Sequence, residues 1–198
     1  MIYVATTNLH KLEEIQAILG ATIRIAKIPD GISGEPVEET EMTFEGNARL
    51  KAEAFSRHLS GWVLADDSGL EVDVLDGAPG VHSARYAGAG ATDAENRKKL
   101  LEALHVFREP QTARFRCVVA VAHQGKTVRV FEGRCEGRVI LEERGSQGFG
   151  YDALFIPAGY EQTFGELSSD EKNMLSHRYL AIKEFARWFE ENVKTPAS

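Results

Sequence analysis

Apolar positions recur along this chain with two periods, one near 3.6 residues and one near two. Met1–Ala5 is a short apolar run that predicts a buried strand. In Lys11–Leu19, Leu12, Ile15 and Leu19 fall on one helical face. Ile23–Ile28 reads as a second strand, and Gly31–Thr40, rich in Gly, Pro and Glu, as a loop. Thr43–Leu59 predicts a helix, because Ala48, Ala52, Phe55 and Leu59 recur at helical spacing. Trp62–Asp66 is a strand and Asp76–Gly80 a turn. Thr92-x-x-Glu95 has the spacing of a capping box that opens a helix to about Leu104. The period then changes. Thr112–His123 and Lys126–Ile140 alternate apolar and polar residues and meet at Gln124-Gly125, which predicts a long β-hairpin. Leu154–Ile156 is another short strand, and a last helix presents Ile182, Phe185, Ala186, Phe189 and Val193. This order predicts an α/β protein with a mixed sheet, since hairpin partners must be antiparallel.

Composition narrows the class. The chain has 198 residues, 43% hydrophobic and 27% charged, enough for one domain or two tightly fused lobes with a sizeable core. Disorder does not fit that apolar content. The longest apolar stretch, near Cys117–Ala122, falls far short of the roughly 20 residues a bilayer span needs. Cys117 and Cys135 are too few for a disulfide framework, and Met1–Ala5 runs into Thr6-Thr7-Asn8 without a secretory signal. A reduced, cytoplasmic protein with no membrane partner is expected. The formal charge of −7 argues against bulk nucleic acid as a partner and leaves room for a local basic pocket.

Five segments could carry chemistry. Thr6-Thr7-Asn8-Leu9-His10-Lys11 lies between a strand and a helix, where free backbone N–H groups and a partial positive charge suit phosphate. It also reads as a plain helix cap through Thr7 or Asn8. Asp66-Asp67-Ser68-Gly69 puts two carboxylates at the end of an apolar strand, a good place for a metal ligand or general base, or for a solvated turn. Adjacent strand residues point to opposite faces, so at most one of the pair is expected to face the core. Pro36-Val37-Glu38-Glu39-Thr40 offers carboxylates that could join Asp66 or Asp67 at a Mg²⁺ ion, and Lys51 could face the same phosphates; both also read as solvated surface. Gly148-Phe149-Gly150-Tyr151-Asp152 could display a ring for stacking on a base, or plug a loop. Lys172, His177 and Arg178 would make a compact cationic patch, or Ser176 simply caps a helix there. The chain is not a P-loop protein: its Gly125-Lys126-Thr127 lies in the hairpin turn, and Ala120 replaces the required glycine. HExxH, CxxC and GxSxG are absent, and no base is in evidence to activate Ser68 as a nucleophile.

Taken in order, these segments resemble a known family. Thr6–Lys11, Glu38-Glu39-Thr40, Thr43–Ala52, Leu64–Gly69, Gly77–Tyr86, Phe149–Asp152 and Ser176-His177-Arg178 follow the pattern of the inosine triphosphatase (Ham1) family, pyrophosphatases of non-standard purine nucleoside triphosphates. The run Asp-Asp-Ser-Gly-Leu, then Gly-Ala-Pro-Gly and Ser-Ala-Arg-Tyr, carries most of the likeness, which spans nearly the whole chain. The resemblance implies an elongated α/β fold, a bent mixed sheet flanked by helices, and one domain over residues 1–198 with two lobes and a cleft between them. It implies a homodimer, Mg²⁺ dependence, and hydrolysis of ITP, dITP and XTP to the monophosphate and pyrophosphate. By position, Thr6, Thr7, Asn8, Leu9, His10, Lys11, Lys51 and Lys172 would bind phosphates. Glu39 and Asp67 would serve the metal, with Asp67 the candidate general base. Ser68 would lie at the substrate, and Phe149, Gly150, Tyr151, Asp152, His177 and Arg178 would hold the base. Two positions depart from the pattern: Thr7 stands where the family usually has Gly, and Gly46 where it commonly has Glu. The competing readings are a Maf-like nucleotide pyrophosphatase of other specificity, which His177-Arg178 and Ser-Ala-Arg-Tyr disfavour, and a non-catalytic nucleotide-binding module, which would not need Asp66-Asp67-Ser68.

Overall fold

Each expected element is present in the computed structural model, which describes residues 1–29, 31–32, 37–108 and 110–194. Residues 33–36 of the Gly31–Thr40 loop lie outside the described residues. Strands β1 (Ile2–Val4), β2 (Ile25–Lys27), β3 (Trp62–Val72), β4 (Gln111–His123), β5 (Lys126–Val139) and β6 (Phe155–Pro157) form one six-stranded sheet in the order β2-β1-β3-β4-β5-β6. It is mixed: β1 runs parallel to β2 and β3, whereas β5 and β6 are antiparallel. The helices are α1 (Leu9–Leu19), α2 (Phe44–Ser56), α3 (Asp93–Leu104), α4 (Ser169–Leu175) and α5 (His177–Phe189). No described helix is long and apolar enough to cross a membrane.

Local signals account for several boundaries. Thr92 and Glu95 form the full reciprocal capping box at the start of α3. Gln124 and Gly125 take φ of 51° and 79°, the pair of positive values that a two-residue hairpin turn demands. That turn is tied to α2. Ser56 Oγ accepts the Gly125 N–H at 3.0 Å, and Glu53 Oε1 accepts the Thr127 N–H and hydroxyl at 3.1 and 2.7 Å.

Two expectations change. First, β3 does not stop at Asp66 but continues to Val72. Leu70 and Val72 are fully buried, so the pattern carries on past the acidic pair. Gly69 permits this passage, because a Cβ there would sit 2.4 Å from the Gly80 carbonyl and from Ser83 Oγ. Second, α4 is an element that the apolar periodicity does not predict, although Ser168 and Glu171 form a second capping box at its start.

By internal packing the chain forms two units. The first comprises Met1–Asp67, Cys117–Gly133 and the segment from Arg178. Its core joins Ile2, Val4, Ile15, Leu19, Leu64, Val119, Val121, Ile182 and Phe185. Leu64 shares this core with α1 and α5, so that face of β3 looks toward those helices. The alternate positions Val63, Ala65, Val118 and Ala120 are buried as well, so both faces of this part of the sheet are covered. The second unit comprises Ser68–Arg116 and Arg134–His177. Its core joins Leu70, Val72, Leu100, Leu104, Phe115, Tyr151, Phe155 and Phe164.

Candidate active site

In the first unit the β1–α1 turn is shaped by its own side chains. Asn8 Oδ1 accepts the Lys11 N–H at 3.3 Å and caps α1, and Thr6 Oγ1 accepts the Asn8 N–H at 3.1 Å. The amides of Leu9 and His10, in the first turn of α1, lack intrahelical acceptors. Both residues are exposed, as is Thr7. Among the described residues only Asp76 and Gln124 combine a side chain with positive φ, so Thr7 needs no glycine-like backbone.

Lys11 points from this turn into the protein, and its Nζ lies 2.9 Å from Asp66 Oδ2. Arg178, at the start of α5, reaches the same oxygen at 3.3 Å and also pairs with Glu14 on α1. Asp66 and Arg178 are each about 1% exposed. Burial works against the Asp66 charge, but Lys11, then Arg178 and Lys51, outweigh it and hold the carboxyl well below the usual range.

Asp67 points to the other face of β3, toward α2. Asn47 Nδ2 donates to its Oδ2 at 3.1 Å, and Lys51 Nζ lies 3.7 Å from its Oδ1. The same ammonium is 2.6 Å from Glu39 Oε1 and 2.7 Å from the Asp66 carbonyl. Burial is the largest influence on Asp67 and pushes its carboxyl up; Lys51 opposes this and the Glu39 charge adds to it. The two aspartates point to opposite faces of β3, as the alternation of strand residues requires. Both are nonetheless buried, because both faces are covered here, and each carboxylate has cationic partners.

Among the described residues no group of three or more His, Cys, Asp or Glu converges as a metal site. Two carboxylates, Glu39 and Asp67, do gather about a single cationic centre, the Lys51 ammonium. Two hard oxygen donors are what Mg²⁺ commonly takes from protein when phosphates fill the remaining positions, so the donor set fits that ion. Glu45 is not part of it, because it pairs with Arg49 on the exposed side of α2. A Cβ at Gly46 would meet Glu41 Cβ at 2.6 Å, so Glu41 fills the space that a side chain at Gly46 would use.

The second unit holds the remaining candidates. Phe149 is half-buried, with the Lys172 ammonium 4.9 Å from its ring centroid. Lys172 Nζ and the Phe149 N–H both reach Asp152 Oδ2 at 2.8 Å, so Asp152 braces this loop. Gly150 is held from both sides: its N–H donates to Asp93 at 2.7 Å, and its carbonyl accepts from Arg97 at 2.9 Å. The Tyr151 ring lies in the core, with its hydroxyl donating to the Ser83 carbonyl at 2.8 Å. His177 is buried and stacks on Phe115, with centroids 4.8 Å apart and planes at 11°. Ser68 sits half-buried on β3 directly after Asp67. Lys172, His177 and Arg178 do not form a solvated patch. All three are buried and separately engaged: Lys172 by Asp152, His177 by Phe115, and Arg178 by Asp66 and Glu14.

Sequence reasoning missed Asn47, the Glu14–Arg178–Asp66 chain, and Asp93 with Arg97. Asn47 carried a usable signal. Asn is a poor residue for a helix interior, and this one lies one turn before Lys51 on the same face.

The profile of the Ham1 family matches residues 2–188. The chain belongs to the Ham1 family. Within it, the dITP/XTP pyrophosphatase of Halalkalibacterium halodurans is 44% identical over 189 residues, covering 94% of this chain and 97% of that protein. The dITP/XTP pyrophosphatase of Bacillus subtilis is 45% identical over 192 residues, covering 94% and 96%. Solved Ham1 structures agree in fold. The protein from Coxiella burnetii superposes with a TM-score of 0.87 at 39% identity, over 96% of this chain and 98% of that one. The Staphylococcus aureus Ham1 protein gives 0.85 at 38% identity, over the same shares.

Proposed function

We propose that this protein hydrolyses ITP, dITP and XTP to the monophosphate and pyrophosphate, and so removes damaged purines from the nucleotide pool. The gathering of Glu39 and Asp67 about the Lys51 ammonium carries the reading, because it joins a hard-oxygen donor pair to a phosphate-binding cation. Curated relatives named dITP/XTP pyrophosphatase support the substrate class. In this reading Lys11, Lys51 and the first amides of α1 hold the phosphates. Asp67 accepts the proton of a water whose oxygen bonds to the α-phosphorus. The bond from that phosphorus to the bridging oxygen breaks, and pyrophosphate leaves. Glu39 and Asp67 would hold a Mg²⁺ ion, which would supply charge neutralisation for the polyphosphate when bound. Lys172 and Phe149, whose ring the Lys172 ammonium meets, are candidate nucleotide-binding residues by the family pattern. A cytoplasmic setting is part of the proposal, supported by two free, buried thiols.

Base choice follows from hydrogen-bond chemistry. Hypoxanthine and xanthine carry an acceptor oxygen at C6, where adenine carries a donor amino group. Donors aimed at that position accept the first two and are left unpaired by adenine, which can discriminate by roughly 10⁴-fold. His177 and neighbouring backbone amides are the candidate donors, with Phe149 stacked on the ring. The test compares ITP, XTP and ATP turnover in wild type and His177→Ala, with Mg²⁺ and with the metal chelated. The expected outcome is metal-dependent turnover of ITP and XTP over ATP, and an ITP/ATP ratio at least about tenfold smaller in the variant. Equal turnover of ATP and ITP by wild type defeats the reading. An unchanged ratio in His177→Ala moves the discrimination to the backbone.

The proposal includes a homodimer. Its local support is the apolar and aromatic content of Val81–Tyr86. Sedimentation equilibrium at micromolar concentration is expected to return twice the chain mass; a monomer there decides against it.

A further inference from the structure

Asn47 is the one polar side chain of α2 that is fully buried without being charged or at the helix end. Its amide is used from both sides. Oδ1 accepts the Glu41 N–H at 3.0 Å, and Nδ2 donates to Asp67 Oδ2 at 3.1 Å. The partners fix which end is which, because a backbone N–H cannot accept and a carboxylate cannot donate. Glu41 lies two residues beyond Glu39, so one end of this amide anchors the loop that carries the first carboxylate. The other end grips the second. One turn later, Lys51 addresses the same two carboxylates through the remaining Asp67 oxygen, Oδ1. Each oxygen of Asp67 therefore has its own partner on α2.

We propose that Asn47 is a positioning residue for the pyrophosphatase reaction, reserving Asp67 Oδ2 so that Oδ1 faces the reacting groups, and fixing the Glu39 loop at the matching distance. This rests on the reading of Asp67 and Glu39 as the working carboxylates. The cost of a loose placement is large, because a displacement of about 1 Å at a reacting group can lower the rate by about 10²-fold. A buried amide that bonds a carboxylate and a backbone N–H is suited to positioning, because it is neutral, rigid beyond two torsions, and closed to water.

Two substitutions separate its two ends. Asn47→Asp keeps an acceptor for the Glu41 N–H but puts an oxygen against Asp67 Oδ2. Asn47→Ala removes both contacts. Glu45→Gln, on the exposed side of the same helix, is the control. Wild type and variants are compared for kcat and KM with ITP and Mg²⁺, and for amide hydrogen exchange at Glu41 in the metal-free protein. The expected result is kcat at least about tenfold lower in both Asn47 variants, with KM within about threefold. Exchange at Glu41 is expected to speed up in Asn47→Ala and stay slow in Asn47→Asp, while Glu45→Gln matches wild type throughout. The proposal is overturned if Asn47→Ala folds and keeps wild-type kcat, or if its losses lie in KM alone. Should Asn47→Asp not fold, Asn47→Ala decides by the same two readouts. A wild type that does not hydrolyse ITP would instead defeat the functional reading, while faster Glu41 exchange in Asn47→Ala would still establish the anchor.

Discussion

Asp67→Asn is expected to fold normally and to lose turnover by about 10²–10⁴-fold, the range that a lost general base commonly costs. Asparagine has nearly the same size and shape. Its side-chain oxygen can still accept the Asn47 Nδ2 hydrogen, now 3.1 Å from Asp67 Oδ2. What disappears is the negative charge that faces Lys51 and would hold the metal. Stability is expected to survive for a physical reason. Burial is the largest influence on Asp67 and raises its carboxyl pKa in the folded protein. The charged form is therefore disfavoured by folding at neutral pH, and replacing it with a neutral group relieves that penalty. Thermal unfolding at neutral pH should thus give a Tm equal to or above that of wild type, because the net upward shift already includes the attraction to Lys51. Turnover of ITP measured on the same preparation decides the role. An Asp67→Asn enzyme with near-normal kcat leaves Asp67 neither base nor metal ligand.

How far the sequence disclosed this site depends on how local each determinant is. The β4–β5 hairpin was legible because both of its signals lie within a few residues: alternation on either side and a turn pair, Gln124-Gly125, that tolerates positive φ. The capping box of α3 was legible for the same reason. The extension of β3 was not. Asp-Asp-Ser-Gly has the composition of a turn, and only partners far along the chain make it a strand. Asp66 is neutralised by Lys11 and Arg178, and Asp67 is met by Asn47 and Lys51. Propensity lost here to ion pairs that no local window contains. The resemblance named Lys11, Glu39, Lys51 and Asp67, and the fold brings these four into one unit. It could not say that Arg178 is already engaged by two carboxylates, because that depends on α1 and α5 packing on one face of β3.

Arg178→Ala is expected to destabilise the protein by about 3–5 kcal/mol, the usual cost of removing one partner from a buried ion pair. For a chain of this size that lowers Tm by roughly 6–20 °C. The substitution removes the ion pair of Glu14 with Arg178 and weakens the neutralisation of Asp66, whose Oδ2 keeps its ion pair with Lys11. The pH dependence follows from the sign of the Asp66 shift. Its carboxyl pKa is lower in the folded state than in the unfolded chain, because Lys11, Arg178 and Lys51 outweigh burial. Folding thus favours the ionised form. The stabilisation is fully present above the unfolded value, about 3.9, and is lost as pH falls toward the folded value. The gap between wild type and Arg178→Ala should therefore be widest near neutral pH and narrow below about pH 4. Urea unfolding at several pH values measures this directly. Arg178→Lys should fall between the two, because it keeps the charge but loses the fork that spans Asp66 and Glu14. If Arg178 instead contributes chiefly to base recognition, Arg178→Ala will show wild-type stability at all pH values and a raised KM for ITP. That outcome would remove the Glu14–Arg178–Asp66 chain as the support that holds Lys11 and the start of α5 against β3.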